Sequence, residues 1–150
     1  MRLAFGSDHA GYGLKQVLAT RARAAGHEVV DVGCDGPDRC DYPVFAGEVA
    51  RMLADARVER GILVCGSGIG MSIAANRYSG IRAALVSEPV SARLSRAHND
   101  ANVLCLGARL VGEDMALAIL DAFLGSAFES GRHADRLLLI DPPTPAGEPA

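Results

Sequence analysis

The 150-residue sequence has no apolar run approaching the roughly 18 residues of a membrane span, which excludes a helical integral membrane protein. Its amino terminus, Met1-Arg2-Leu3-Ala4-Phe5-Gly6, is too short and too quickly polar for a signal peptide. Both absences point to the cytoplasm. There is no excess of positive charge: a net charge of -3 and a pI near 5.8 give no general attraction for nucleic acid or an anionic membrane. Neither is expected as a partner, and any anion must be caught by local clusters. None of the four cysteines forms a CxxC pair, and the chain is long enough to build its own core, so neither a disulfide framework nor a zinc site is expected. The Gly-Lys-Ser/Thr of a P-loop is missing, and no internal repeat is visible.

What is present, at 49% hydrophobic and 22% charged residues, fits one domain over residues 1–140 followed by a disordered, proline-rich tail over residues 141–150. Leu3-Ala4-Phe5-Gly6 reads as a strand closing on Ser7-Asp8-His9. A helix follows with Leu14, Val17, Leu18, Ala22 and Ala25 at helical spacing, and Gly26 is its stop. Glu28 to Val32 is the second strand. Asp41-Tyr42-Pro43 opens a helix, with a capping acid and a proline in the first turn, that runs to about Ala54. Gly61 to Cys65 is the central strand, and the short helix after it ends near Tyr78-Ser79-Gly80. Strands over Arg82 to Val86 and Val103 to Gly107 flank a helix from Pro89 to His98.

Glu113 to Leu124 is a helix with Ala116, Ile119, Leu120 and Phe123 on one face, widened by Leu117 and Leu124. That breadth predicts burial against a partner subunit as well as the sheet. Arg132 to Ile140 is the last helix. Apolar strands alternating with helices predict a parallel sheet covered on both faces, with ligands bound beyond the carboxyl ends of the strands. Ser7-Asp8-His9, Cys65 to Gly70 and Arg109 stand at such ends and should converge. His98-Asn99 precedes a strand instead, and the pattern does not fix its position relative to that edge.

Gly61 to Asn76 reads as strand, glycine-rich turn and helix, with a thiol where the strand ends. Such a turn lets backbone approach a ligand and aims a helix dipole and free N–H groups at an anion. Glu88, about 20 residues on, invites a dinucleotide-binding oxidoreductase, but Gly66, Gly68 and Gly70 make GxGxG, and Met71 stands where the third fingerprint glycine belongs. A loop for a small oxyanion is left. Cys105 reads as a core thiol. Cys34 and Cys40 share a polar stretch with Asp35, Asp38 and Asp41 but have no nearby histidine, which favours a solvated loop over a metal site.

Gly6-Ser7-Asp8-His9-Ala10-Gly11, Asp41-Tyr42-Pro43, Cys65-Gly66-Ser67-Gly68-Ile69-Gly70 through Asn76, Ser87-Glu88-Pro89, Arg96 through Asn102 and Gly131-Arg132-His133 together resemble type B ribose-5-phosphate isomerase. The wider family includes allose 6-phosphate and galactose 6-phosphate isomerases. The resemblance implies a three-layer α/β/α, Rossmann-like domain with a five-stranded parallel sheet in the order 2-1-3-5-4. It further implies a homodimer or dimer of dimers with active sites shared across the interface, no metal and no organic cofactor.

The implied reaction interconverts D-ribose 5-phosphate and D-ribulose 5-phosphate through ring opening and a cis-enediolate. Allose 6-phosphate, galactose 6-phosphate and a tetrose phosphate are the alternative substrates. By resemblance Cys65 is the proton-carrying base, and Ser72 stands near the position where some members have a glutamate instead. His98 opens the ring with Ser67 and Asp8 assisting, and Gly66, Gly68, Ile69 and Gly70 receive the enediolate oxygen. His9, Arg109, Arg132 and Arg136 bind phosphate and Asn99 a sugar hydroxyl. The residues alone allow plainer roles: His98 satisfying carbonyls at a helix end, Arg132 and Arg136 forming a solvated basic face. Asp100, His133 and Tyr42 are structural or supporting candidates. A binding protein without turnover is disfavoured by the presence of Cys65, His98 and Asp8 together.

Overall fold

The computed structural model of the chain describes residues 1–140; the tail expected to be disordered, 141–150, lies outside the described residues. In chain order the elements are β1 (Arg2–Ser7), α1 (Tyr12–Ala24), β2 (Glu28–Asp31), α2 (Tyr42–Ala54), β3 (Arg60–Cys65), α3 (Ile69–Ala75), β4 (Ala83–Leu85), α4 (Pro89–Asn99), β5 (Val103–Gly107), α5 (Glu113–Leu124) and α6 (Arg132–Ile140). The strands form one parallel sheet in the order β2-β1-β3-β5-β4, as the family resemblance implies.

Alternate residues of each central strand face opposite sides, and both sides are apolar. Leu3, Phe5, Ile62, Val64, Leu104 and Leu106 meet α1, α4 and α5. Ala4, Leu63, Cys65, Val103 and Cys105 meet α2 and α3. The result is the expected three-layer α/β/α arrangement.

The broad apolar face of α5 finds its partners inside the chain. Ala116, Ile119, Leu120 and Phe123 are fully buried, and Leu117 and Leu124 pack on the same core with residues of α1 and α4. No second subunit is needed to explain that width.

Several boundaries shift for local reasons. Asp41 takes the first capping position of α2 by its backbone, but its side chain makes no cap hydrogen bond. Helix α3 stops at Ala75, short of the expected Tyr78, because Asn76 turns to β4: its amide donates to the Ala83 carbonyl (2.9 Å) and accepts from the Ala83 N–H (2.8 Å). Glu88 caps α4, accepting the N–H groups of Val90 and Ser91 at 2.6 Å each. The hydrogen bonds from Ser91 lead in holding its carboxyl below the usual range. That carboxylate serves as the cap of α4.

Candidate active site

The central strand delivers Cys65 to the carboxyl edge of the sheet, where it is 4% exposed. The chain then turns at Gly68, whose φ of +76° is open to glycine at little cost. A Cβ there would also fall 2.8 Å from the Leu106 carbonyl carbon, so the turn lies directly on β5. This conformation aims the Gly68 N–H at Cys65 Sγ, 3.1 Å away, and fixes the sulfur at the lip of the loop. The Ser67 hydroxyl accepts from Ile69 N–H at 3.3 Å.

Asp8 and His9 arrive from β1. Asp8 is 7% exposed, and its carboxylate accepts the Gly11 N–H at 2.9 Å. His9 Nδ1 lies 3.3 Å from the Cys40 carbonyl and 3.4 Å from the Cys40 N–H, so the Cys40 main chain can engage Nδ1 in either tautomer and leaves Nε2 for a ligand. The loop carrying Cys40 is itself tied down. The fully buried Lys15 pairs with Asp31 and donates to the Cys34 carbonyl at 2.9 Å. Cys34 is thus a buried thiol, contrary to the solvated loop expected for it, and its Sγ contacts the Gly36 carbonyl at 3.2 Å.

Arg109 enters from the end of β5. Its N–H donates to the Gly66 carbonyl (3.0 Å) and its guanidinium passes 3.5 Å from where a Gly66 Cβ would stand. Among the described residues no carboxylate pairs with it, so its charge is available to an anion. These groups line one cleft of about 400 Å³: Asp8, His9, Cys65, Gly66, Ser67, Gly70 and Arg109. Tyr42, Ala10 and Leu110 complete its walls, and the two apolar residues were not foreseen. Tyr42 lies flush on Gly70, where a Cβ would come within 2.7 Å of its ring. Ile69 points elsewhere, into a neighbouring groove with Leu85 and Val86.

His98, Asn99, Arg132 and Arg136 are not in this cleft. Helix α4 ends at Asn99, just before β5 begins, whereas Cys65 lies where β3 finishes. Val103 pairs with Gly61 and Gly107 with Cys65, so the two edges are separated by four strand steps, about 13 Å. At its own edge the His98 ring stacks on His133 with centroids 4.3 Å apart and planes 8° from parallel. Burial of the His133 ring, followed by the neighbouring His98, Arg132 and Arg136, pushes its pKa down. His98 Nε2 is 3.8 Å from a Glu129 carboxylate oxygen, and the ligand atoms of His98, Glu129 and His133 lie within 4.8 Å of one another. Imidazole lone pairs lie in the ring plane, and nearly parallel planes do not converge on one ion, so this trio is a poor metal site. Arg132 and Arg136 are exposed on α6.

A family model described as ribose/galactose isomerase matches residues 3–140. The chain is 49% identical over 139 residues to ribose-5-phosphate isomerase B of Escherichia coli (strain K12), covering 93% of each chain. Its fold is similar to that of the Clostridium thermocellum ribose-5-phosphate isomerase B, with a TM-score of 0.93 and 48% identity, covering 94% of this chain and 95% of that one. A ribose-5-phosphate isomerase B from Mycoplasma genitalium, solved with bound ribulose-5-phosphate, matches with a TM-score of 0.88 and 40% identity over 93% of each chain. By the span of the family match and the identity to these relatives, the chain belongs to the ribose/galactose isomerase family.

Proposed function

We propose that the chain interconverts D-ribose 5-phosphate and D-ribulose 5-phosphate. The observation that carries this reading is the Cys65 thiol, held by the Gly68 N–H in a cleft with Asp8, His9 and Arg109, in a chain closely related to ribose-5-phosphate isomerases B. As thiolate, Cys65 takes the C2 proton of the open aldose, and the electrons move onto O1 to give a cis-enediolate. Return of that proton to C1 and transfer of the O2 proton to O1 yield the ketose. Of the loop from Gly66 to Gly70, the N–H groups not already given to Cys65 Sγ or Ser67 Oγ receive the developing oxyanion, where one donor can be worth about 2.7–4 kcal/mol. His9 and Arg109 hold the phosphate, with Arg132 and Arg136 joining them from a second copy.

The placement of these groups supports a second copy. His98 and Asn99 stand at the opposite sheet edge from Cys65 of the same chain, so ring opening by His98, assisted by Asp8 and Ser67, draws the imidazole from a partner. We therefore read the working form as a homodimer or a pair of dimers, cytoplasmic, acting in the pentose phosphate pathway. Among the described residues no helix is long and apolar enough to cross a membrane.

The test is kcat/KM across ribose 5-phosphate, allose 6-phosphate, galactose 6-phosphate and a tetrose phosphate. Ribose 5-phosphate should rank first; a higher value for another member would reassign the substrate. Arg136→Ala should raise KM by about tenfold or more while kcat falls less, as expected for a lost charge-assisted phosphate contact. An unaltered KM would remove Arg136 from the phosphate site.

A further inference from the structure

We propose that Asp100 is a positioning residue for ring opening, its carboxylate fixing the end of α4 from which His98 and Asn99 project. The inference rests on the reading of His98 as the ring-opening group. Asp100 terminates the helix in a left-handed conformation, φ +43°. Where a helix only has to stop, glycine does this without the cost of about 1–2 kcal/mol that a side chain incurs. The carboxylate supplies the reason for an aspartate here. Its Oδ2 lies 2.8 Å from Arg82 Nη2 and its Oδ1 2.8 Å from Arg96 Nη1, so two guanidinium groups from different elements converge on it.

The main chain is held by the same cations. Arg82 Nε donates to the Asp100 carbonyl (3.0 Å), and Arg96 Nη1 donates to the Ala101 carbonyl (2.6 Å). Arg96 is buried, and its Nε is the buried side-chain polar atom without a partner among the described residues. A cation so far out of water depends on its counter-charge, and Asp100 is that charge. The clamp sits two residues after His98. On the other side of α4, the Glu129 N–H donates to the Ala97 carbonyl (3.0 Å) and His133 covers the imidazole face. The helix end is thus held at both flanks of the one residue that must reach a reacting oxygen in another subunit. A displacement of about 1 Å at such a group can cost on the order of 10²-fold in rate.

The chemistry of the two sugars provides the readout. Ribulose 5-phosphate cannot close a five-membered ring, because its C5 oxygen carries the phosphate, so exchange of its C1 proton with D2O needs Cys65 and no ring opening. Asp100→Asn should lower ribose 5-phosphate turnover by about tenfold or more. It should leave C1 exchange in ribulose 5-phosphate within about twofold, with inhibition by inorganic phosphate unchanged. Arg82→Gln, which leaves the Arg96 contact in place, should show a smaller loss with the same selectivity and covers the case in which Asp100→Asn does not fold. Equal loss of turnover and exchange in these variants, or full turnover in both, would overturn the proposal. His98→Asn is the separate control. Selective loss in His98→Asn without any in Asp100→Asn removes Asp100 alone, whereas loss of exchange in His98→Asn overturns the reading of His98 and the inference with it.

Discussion

Cys65→Ala loses about 10²–10⁴-fold in turnover, the range that a positioned acid–base group contributes, while affinity for inorganic phosphate stays close to that of the parent protein. Proton exchange at C2 of ribose 5-phosphate in D2O, followed by NMR, reports the loss directly. The other sulfur nearby does not rescue the variant. Cys105 is fully buried in β5, and burial, with the Cys65 thiol adding to it, pushes its pKa far up, so it stays protonated and out of reach of the cleft. Cys65→Ser refines the test, since a hydroxyl accepts the Gly68 N–H as sulfur does but is a far weaker acid. A serine variant as slow as the alanine variant shows that the ionised thiol, and not the filling of its site, carries the reaction. Unchanged turnover in Cys65→Ala would sink the assignment of the base.

Mixing two inactive proteins should restore activity. If each site combines Cys65 of one subunit with His98 of the other, a heterodimer of Cys65→Ala and His98→Asn chains holds one intact site and one doubly defective site. Random exchange at equal amounts makes half of all dimers mixed, so about one quarter of the parent activity returns. The parents, measured alone, set the baseline. A mixture that stays at that baseline after subunit exchange is verified by mass spectrometry would place His98 in the same subunit's site. Such recovery needs no assumption about rate constants, because every active site in the mixture is of parental composition.

Most of the framework was legible because the central strands are continuous apolar runs with glycine or a polar residue where each ends. Asp8-His9, Cys65 and Arg109 converge on one cleft, as parallel topology requires, while Ser7 stays buried behind it against Cys34. The helix breadth in α5 does not by itself point to a second subunit, since amphipathic width does not say which element covers it, and α1 and α4 cover most of this face. The burial of Cys34 was hidden among aspartates, and it depends on Lys15, which is distant in sequence and sits fully buried against Asp31. Ala10 and Leu110 carried no chemical signal of their own, and they become walls only through their neighbours His9 and Arg109. The location of His98 was not readable from periodicity, because a helix spacing fixes a face and not which edge of the sheet its end serves.

The Asn76 amide, described above as the reason α3 stops, also blunts one edge of the sheet. Ala83 in β4 presents its N–H and carbonyl away from β5, and the side chain of Asn76 satisfies both, much as a further strand would. An edge so blunted offers no template for adding another chain's backbone. Extension of the sheet past β4 is therefore hindered at Ala83, which leaves this side to contacts through side chains, the kind that could carry a histidine from one molecule into the cleft of another.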